Sequence, residues 1–236
     1  MKILTDLHCH TLVNPHAFST VLENAQYAKM AGLEALAITD HSVNLPDSPH
    51  HYHFETLNLI PDDINGVRIF KGIELNILSK LGKIDMEEYI LSGLDIVIAS
   101  IHRPCYENLS DEDHTETYLN VLDNEYVNIL GHTDSADLPY DIDPVLLKAK
   151  EKNILVEINN LHIKSGKNYQ RAIEIAKRCR DLGVGISVDS DAHICFDVAN
   201  HKRAIELLES IDFPEELIIN RNLKVLTEFL NKRKNI

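Results

Sequence analysis

The chain has 236 residues, 44% hydrophobic and 25% charged, the composition of an ordinary globular protein long enough for a large core. Lys and Arg number 23 against 37 Asp and Glu, and the resulting formal charge of −14 repels nucleic acid backbones and anionic membranes. No apolar run reaches membrane-spanning length, and the four Cys are scattered without a Cys-x-x-Cys pair, which sets aside a disulfide framework and points to a reducing, cytoplasmic setting.

Met1 leads almost at once into a strand near 2–7, so no signal peptide is expected ahead of it. A helix near 20–31 opens on the capping box Thr20-x-x-Glu23 and closes at Gly32. A strand near 34–39 follows, then an irregular stretch, 42–66, carrying Pro46, Pro49, Pro61 and Gly66. Strands near 67–75 and 94–101 come next, then a second irregular stretch, 102–112. Helices near 113–124, 142–152 and 168–182 then alternate with strands near 127–131, 154–158 and 184–190. In the third of these helices Ala172, Ile175, Ala176, Cys179 and Leu182 share one face. Two last helices lie near 200–210 and 222–232, and the stripe Leu223, Leu226, Leu230 is expected in the core. Strands alternating with helices mean a parallel sheet covered by helices. The length suits one α/β barrel or two small domains, and the absence of a linker or charge block favours one domain over residues 1–236.

Thirteen His are present, and seven of them recur where apolar runs stop. Asp6-Leu7-His8-Cys9-His10 ends the first strand, with His16 beyond it, and Thr39-Asp40-His41 ends the second. Gly72-Ile73-Glu74, His102, Gly131-His132, Asn159-Asn160 and Ser190-Asp191-Ala192-His193 end the rest. Parallel α/β folds place their sites at these carboxyl ends of strands. The pairs His8/His10 and Asp191/His193 put two side chains on one side of an extended segment, with Cys9 and Ala192 pointing away. Imidazole and carboxylate together suit zinc, manganese or iron, whereas calcium and magnesium prefer oxygen alone. The nine metal ligands expected are His8, His10, His16, His41, Glu74, His102, His132, Asp191 and His193, more than one ion can use. Glu74 is the natural bridge, since a carboxylate can span two ions and an imidazole cannot.

These motifs, in order from residue 6 to 193, resemble those of the PHP (polymerase and histidinol phosphatase) superfamily. Asn14-Pro15-His16-Ala17-Phe18-Ser19-Thr20, Pro49-His50-His51-Tyr52-His53-Phe54 and Glu157-Ile158-Asn159-Asn160 resemble its YcdX-like phosphatase branch in particular. The resemblance implies a distorted (β/α)7 barrel and three divalent ions, zinc first with manganese or iron as alternatives. It implies that His8, His10, Glu74 and Asp191 hold one ion, Glu74, His102 and His132 a second, and His16, His41 and His193 a third. Glu74, Asp191 and His193 are the expected catalytic residues. Thr133 follows His132 where many members carry Pro, a departure expected to alter loop shape more than ligation.

Such a cluster suits phosphate ester hydrolysis. Two ions roughly 3.5–4 Å apart share a hydroxide, lower its pKa from ~15.7 toward ~7, and clamp the attacking and leaving oxygens. The expected function is therefore a phosphatase acting on a small phosphorylated metabolite by attack of a metal-bridging hydroxide, with no nucleic acid or membrane partner and the oligomeric state left open. The alternatives are a nuclease, metal-assisted C–N or C–O hydrolysis, and a non-catalytic metal-binding protein. Asp6 and Asp40 either orient ligand imidazoles or bond backbone, and Asn159 and Asn160 are expected to satisfy strand-end backbone. His50, His51 and His53 either line the substrate mouth or sit in a solvated loop; Arg103, beside His102, either meets a phosphate bidentately or, as favoured, lies at the surface; and His114, His162 and His201 are expected at the surface.

Overall fold

The chain visits its parallel strands in the order in which they stand side by side, the behaviour expected when each strand is followed by a helix that returns over the sheet. The computed structural model describes residues 1–46, 48–107, 113–164 and 166–233. Its strands are β1 (Thr5–Asp6), β2 (Ala35–Ile38), β3 (Asp63–Ile64), β4 (Val67–Asn76), β5 (Ile96–Ser100), β6 (Ile129–Leu130), β7 (Leu155–Asn159) and β8 (Ile186–Asp189). Its α-helices are α1 (Val21–Ala31), α2 (Tyr52–Glu55), α3 (Glu88–Leu91), α4 (Thr115–Val121), α5 (Ile142–Glu151), α6 (Gly166–Leu182), α7 (Lys202–Ser210) and α8 (Leu223–Arg233). The sheet runs β1-β2-β4-β5-β6-β7-β8 with every neighbouring pair parallel, and β3 pairs antiparallel with the start of β4. The sheet is nearly closed, a distorted (β/α)7 barrel. Every element expected from the sequence is present near its expected place. The elements β3, α2 and α3 were not expected, because two to four residues show no readable periodicity.

Local chemistry accounts for the elements that frame the site. Thr20 Oγ1 accepts from Glu23 N at 3.2 Å while Thr20 N donates to Glu23 Oε2 at 2.7 Å, and Gly32 ends α1 in the left-handed region at φ 79°. Along β2 the side chains alternate, Ala35 and Ala37 entering the barrel and Leu36 and Ile38 packing under helices. The same alternation sends Phe70, Ile96, Ile98, Ile129 and Leu155 inward. Leu226 and Leu230 of α8 join this interior cluster, so the C-terminal helix plugs the end of the barrel opposite the site.

Closure between β1 and β8 is not made by direct strand pairing along its length. Toward the site, Cys9 and Ala192 form a parallel bridge, and His10 N donates to Ala192 O at 2.9 Å. Below it, the segment 218–221 is wedged into the seam. Ile218 bridges Ile186, and Leu4 N donates to Arg221 O. The fully buried Asn220 amide donates to Thr5 O (3.0 Å), Val188 O (2.8 Å) and Asp189 Oδ1 (3.1 Å), and its oxygen accepts from Val188 N at 2.9 Å. One side chain therefore supplies hydrogen bonds that a missing strand pair would have made. Asn220→Ala leaves those buried groups without partners and should cost about 2–4 kcal/mol of stability, at roughly 1–3 kcal/mol for each unsatisfied buried group after partial relaxation. Urea denaturation measures this, and a loss below about 1 kcal/mol would show that the seam is held by other contacts.

Candidate metal centre

Inward-facing positions change character as the strands rise. Phe70, Ile98, Ile129 and Leu155 give way, two or four residues on, to Glu74, Ser100, Gly131 and Glu157. Leu7 lies in the barrel interior, yet Cys9, two residues on, packs in the outer layer with Ala192. The chain thus shifts phase after β1, and this delivers His8 and His10 inward. Two of the motif glycines are explained by close approach: a Cβ at Gly72 would lie 2.7 Å from Ile96 O, and one at Gly131 would collide with the Ser100 hydroxyl. Asp191 (φ 54°) and His132 (φ 25°) adopt left-handed backbone that costs a non-glycine residue on the order of 1 kcal/mol or more. His132 is held in it by its N–H, which donates to Glu157 Oε2 at 2.7 Å.

All nine residues singled out as ligands meet at this end of the barrel. Glu74, 1% exposed, lies between them. Its Oε2 faces His8 Nε2 at 3.3 Å, His10 Nε2 at 3.7 Å and His41 Nδ1 at 2.6 Å. Its Oε1 faces His132 Nε2 at 3.0 Å and His102 Nε2 at 3.3 Å. Asp191 Oδ1 lies 3.1 Å from His10 Nε2, 3.6 Å from His8 Nε2 and 3.5 Å from His193 Nδ1. His16, exposed at the rim, meets His41 Nε2 through its own Nε2 at 3.1 Å. Three sets of donor atoms lie within 4.8 Å of one another: His8, His10 and Asp191; His10, His41 and His193; and His41, Glu74 and His102. These sets cut across the division implied by the family resemblance, since His10 and His41 each belong to two of them.

Of the buried atoms in this cluster, His10 Nδ1 has no hydrogen-bond partner, and His8 Nε2, His41 Nδ1 and Glu74 Oε2 face one another at 2.6–3.3 Å without the angles of a good hydrogen bond. Such groups are expensive to bury unless something satisfies them. Nitrogen and carboxylate donors facing each other at short range fit a divalent transition metal on both counts.

A second layer fixes the imidazoles. His8 Nδ1 donates to Glu157 Oε1 at 2.7 Å and His102 Nδ1 to Asn76 Oδ1 at 2.7 Å, so in each ring Nε2 is the nitrogen turned to the cluster. Asn159 donates to Asp191 Oδ2 and Glu157 Oε2, both at 3.1 Å. It therefore orients a carboxylate of the cluster rather than serving only strand-end backbone. Asn160 does serve backbone, accepting from Arg203 N and Ala204 N at the start of α7. Glu157 was given no role from the sequence. The signal was a single acid in the otherwise apolar Leu155-Val156-Glu157-Ile158, at the parity that faces inward.

Burial alone would raise the Glu74 carboxyl, but the facing His8, His102 and His41 outweigh it and hold it well below the usual carboxylate range. Asp191 is likewise lowered, with burial opposed by His8 and His10. Burial and the adjacent His41 push His10 down to about 3, which leaves it neutral and ready to ligate. His8 goes the other way: burial lowers it, yet Glu157, Asp191 and Glu74 together hold its proton well above the ordinary range.

Several expectations need correction. His162 is not a surface residue: it lines the main cavity, stacks on His132 at 5.0 Å and meets Asp134 Oδ1 at 2.8 Å. His114 and His201 are buried, at 0% and 4% exposure. His201 lies 3.6 Å from Asp6, whose carboxylate otherwise accepts from Ser190 N and Ala199 N, so Asp6 bonds backbone and orients no cluster imidazole. Asp40 accepts from Thr11 and meets His53 at 3.1 Å. His53 thus partners Asp40, while the exposed His50 and the partly exposed His51 lie against each other, rings tilted at 38°, away from the cavity. Arg103 is exposed as expected but also lines the cavity. That cavity, about 700 Å³, is walled by Leu45 and Pro46 from the first irregular stretch and by Arg103 and Pro104 from the second, of which 108–112 lie outside the described residues. Ser135, Asp137, Leu138 and Asn168 complete a wall that the sequence did not indicate.

The model of the PHP domain matches residues 6–182. The chain belongs to the PHP family. A probable phosphatase of Caldanaerobacter subterraneus is 44% identical over 240 residues, covering all of this chain and 94% of that one. A probable phosphatase of Clostridium novyi is 42% identical over 99% of this chain and 96% of its own length. The histidinol phosphate phosphatase of Lactococcus lactis, solved with zinc, L-histidinol and phosphate, shares the fold at a TM-score of 0.62 and 19% identity, over 89% of this chain and 94% of that one. The PHP match ends before Asp191 and His193, which the barrel nevertheless returns to His8 and His10.

Two outcomes follow from the second layer and its charges. Glu157→Gln keeps the shape but weakens the hold on His8, and should lower zinc affinity roughly 10–100-fold, read by competition with a chelating dye; unchanged affinity would leave Glu157 a purely structural acid. A divalent ion that takes His8 as a ligand at pH 7 must also displace its proton, so apparent affinity should rise with pH by up to about tenfold per unit for each proton displaced, up to the pKa of metal-free His8. Calorimetry in buffers of differing ionisation enthalpy counts that proton, and no release at pH 7 would contradict the assignment of His8 as a ligand.

Proposed function

We propose that this protein is a metal-dependent phosphatase that hydrolyses the monoester of a small phosphorylated metabolite at a centre of three divalent ions. Zinc is the first choice of metal, with manganese or iron as alternatives. One observation carries the reading: a buried, ionised Glu74 presents one oxygen to His8, His10 and His41 and the other to His102 and His132. A single structural ion is satisfied by four ligands in a closed shell, whereas this carboxylate divides five imidazoles between its two oxygens beneath an open cavity. The names of the relatives, probable phosphatases at 42–44% identity over nearly the whole chain, support the same class of reaction.

In this reading His8, His10, Glu74 and Asp191, then Glu74, His102 and His132, then His16, His41 and His193 hold the ions, with His10 and His41 close enough to neighbouring sets to adjust between them. Bound divalent ions supply positive charge against the phosphoryl oxygens and acidify the attacking water. The protein's part is to keep the donors in one state. Glu157 and Asn76 hold protons on Nδ1 of His8 and His102, and the Asp191 carbonyl accepts from His193 Nδ1 at 3.0 Å, leaving His193 Nε2 with its lone pair. Glu74, Asp191 and His193 are the catalytic residues of the proposal, two carboxylates kept ionised by their neighbours and one imidazole that lines the cavity. The wall above them is apolar at Leu45, Pro46, Ile101, Pro104 and Leu138, and Arg103 is the only Lys or Arg lining it among the described residues. With a formal charge of −14 over the chain, this suits a small ester better than a polymer backbone.

Chelation should abolish phosphate release from a panel of small phosphomonoesters, and zinc or manganese should restore it. Glu74→Gln should lower turnover by at least about a hundredfold, the scale of removing one preorganised charge, while leaving the circular dichroism spectrum unchanged. A fully metal-loaded protein that releases phosphate from no ester would refute the proposal, and cleavage of DNA or RNA instead would move it to the nuclease alternative.

A further inference from the structure

We infer that Arg103 is a phosphate-binding residue of this cavity, held on Asp137 until a phosphate displaces that carboxylate. The inference rests on the phosphatase reading and adds to it a residue on which substrate affinity depends.

Arg103 directly follows His102, at the end of β5, and Asp137 lies five residues beyond His132, in the loop after the neighbouring strand β6. Both side chains line the cavity together with those two imidazoles, on the side of the cluster that faces Glu74 Oε1. Arg103 Nη2 donates to Asp137 Oδ2, so the ion pair joins two loops across one wall of the cavity. The side chains are 54% and 65% exposed. An ion pair so open to water is worth little and is exchanged at small cost. A phosphate dianion offers the guanidinium two parallel charge-assisted hydrogen bonds in place of the single one it makes here.

The charge balance of the cavity gives the exchange its direction. Apart from Arg103, no Lys or Arg lines the cavity among the described residues, and the chain as a whole is strongly acidic. Asp137 at the wall repels an incoming phosphate unless Arg103 neutralises it. In the resting pair the two charges cancel. Once phosphate enters, Arg103 turns to the anion and Asp137, already largely in solvent, moves away from it. A plain surface ion pair that ties two loops together would sit equally well outside the cavity, and phosphate affinity would not depend on either partner.

The test is calorimetric titration of inorganic phosphate into zinc-loaded protein, with metal content measured by mass spectrometry for every variant. Wild type should bind phosphate, and Arg103→Ala should weaken it roughly ten- to a hundredfold, the worth of hydrogen bonds to a charged group. Arg103→Lys should fall between, since it keeps the charge and loses the planar fork. Asp137→Asn, which leaves the guanidinium a weaker partner to give up, should tighten phosphate by up to about fivefold. Phosphate affinity in Arg103→Ala within about twofold of wild type, at equal metal content, would overturn the inference and leave the phosphatase reading intact. Weaker binding in Asp137→Asn would show that Asp137 positions Arg103 rather than competes for it, and would overturn the exchange. Fully loaded wild type that binds no phosphate would overturn both this inference and the reading beneath it.

Discussion

The upper end of the barrel is organised around one buried carboxylate, Glu74, kept ionised among imidazoles. A lone carboxylate at 1% exposure would take up a proton, because the charged form loses its hydration without compensation. Here the facing rings reverse that tendency. The same arrangement crowds donor atoms together without well-aligned hydrogen bonds, a combination that a hydrogen-bonded core avoids and that suits a cation. Site and fold therefore trade on one interaction: the rings hold the carboxylate charged, and the carboxylate gives the rings a common point to face.

That convergence is possible because the barrel closes irregularly. His8 and His10 follow β1, and Asp191 and His193 follow β8, at opposite ends of the chain. Continuous pairing of these two strands would fix every side chain by simple alternation. The chain instead changes phase between Leu7 and Cys9, and Asp191 takes a left-handed turn. Both departures aim candidate ligands inward, and the bridge between Cys9 and Ala192, the residues between those of each pair, ties the two segments together. The 218–221 segment makes the irregularity tolerable by satisfying the backbone where strand pairing is interrupted.

The sequence pointed to these donor residues because each stands just past the end of an apolar run, two of the pairs at a spacing of two. Positions two apart on one face, each at the end of an apolar run, mark the carboxyl ends of strands without any knowledge of their neighbours. The same logic exposed the parallel sheet and the apolar face of α6. What it missed depends on contacts between distant segments. Asn220 reads as a loop residue until it is set between Thr5 and Val188. His162 reads as a surface imidazole because its partner Asp134 and its neighbour His132 are about thirty residues away. Glu157 was visible as an acid in an apolar strand, but only the nearby His8 and His132 give it work to do. Helix and strand follow from local pattern, while second-layer partners follow from the closing of the barrel.

Closing the barrel and assembling the site are accordingly one event. The seam between β1 and β8 carries four of the nine donors, and the charges at its rim are arranged for an occupant: His8 holds a proton that the carboxylates enforce, His10 is held neutral, and Glu74 and Asp191 stay ionised. Without an ion the seam must accommodate buried polar atoms that are poorly satisfied, a cost borne by the folded state alone because water satisfies them in the unfolded chain. An ion that binds only the folded arrangement removes that cost and stabilises the fold by mass action as well. Metal occupancy and fold stability would then be coupled at this end of the barrel, while the end plugged by Leu226 and Leu230 depends on apolar packing.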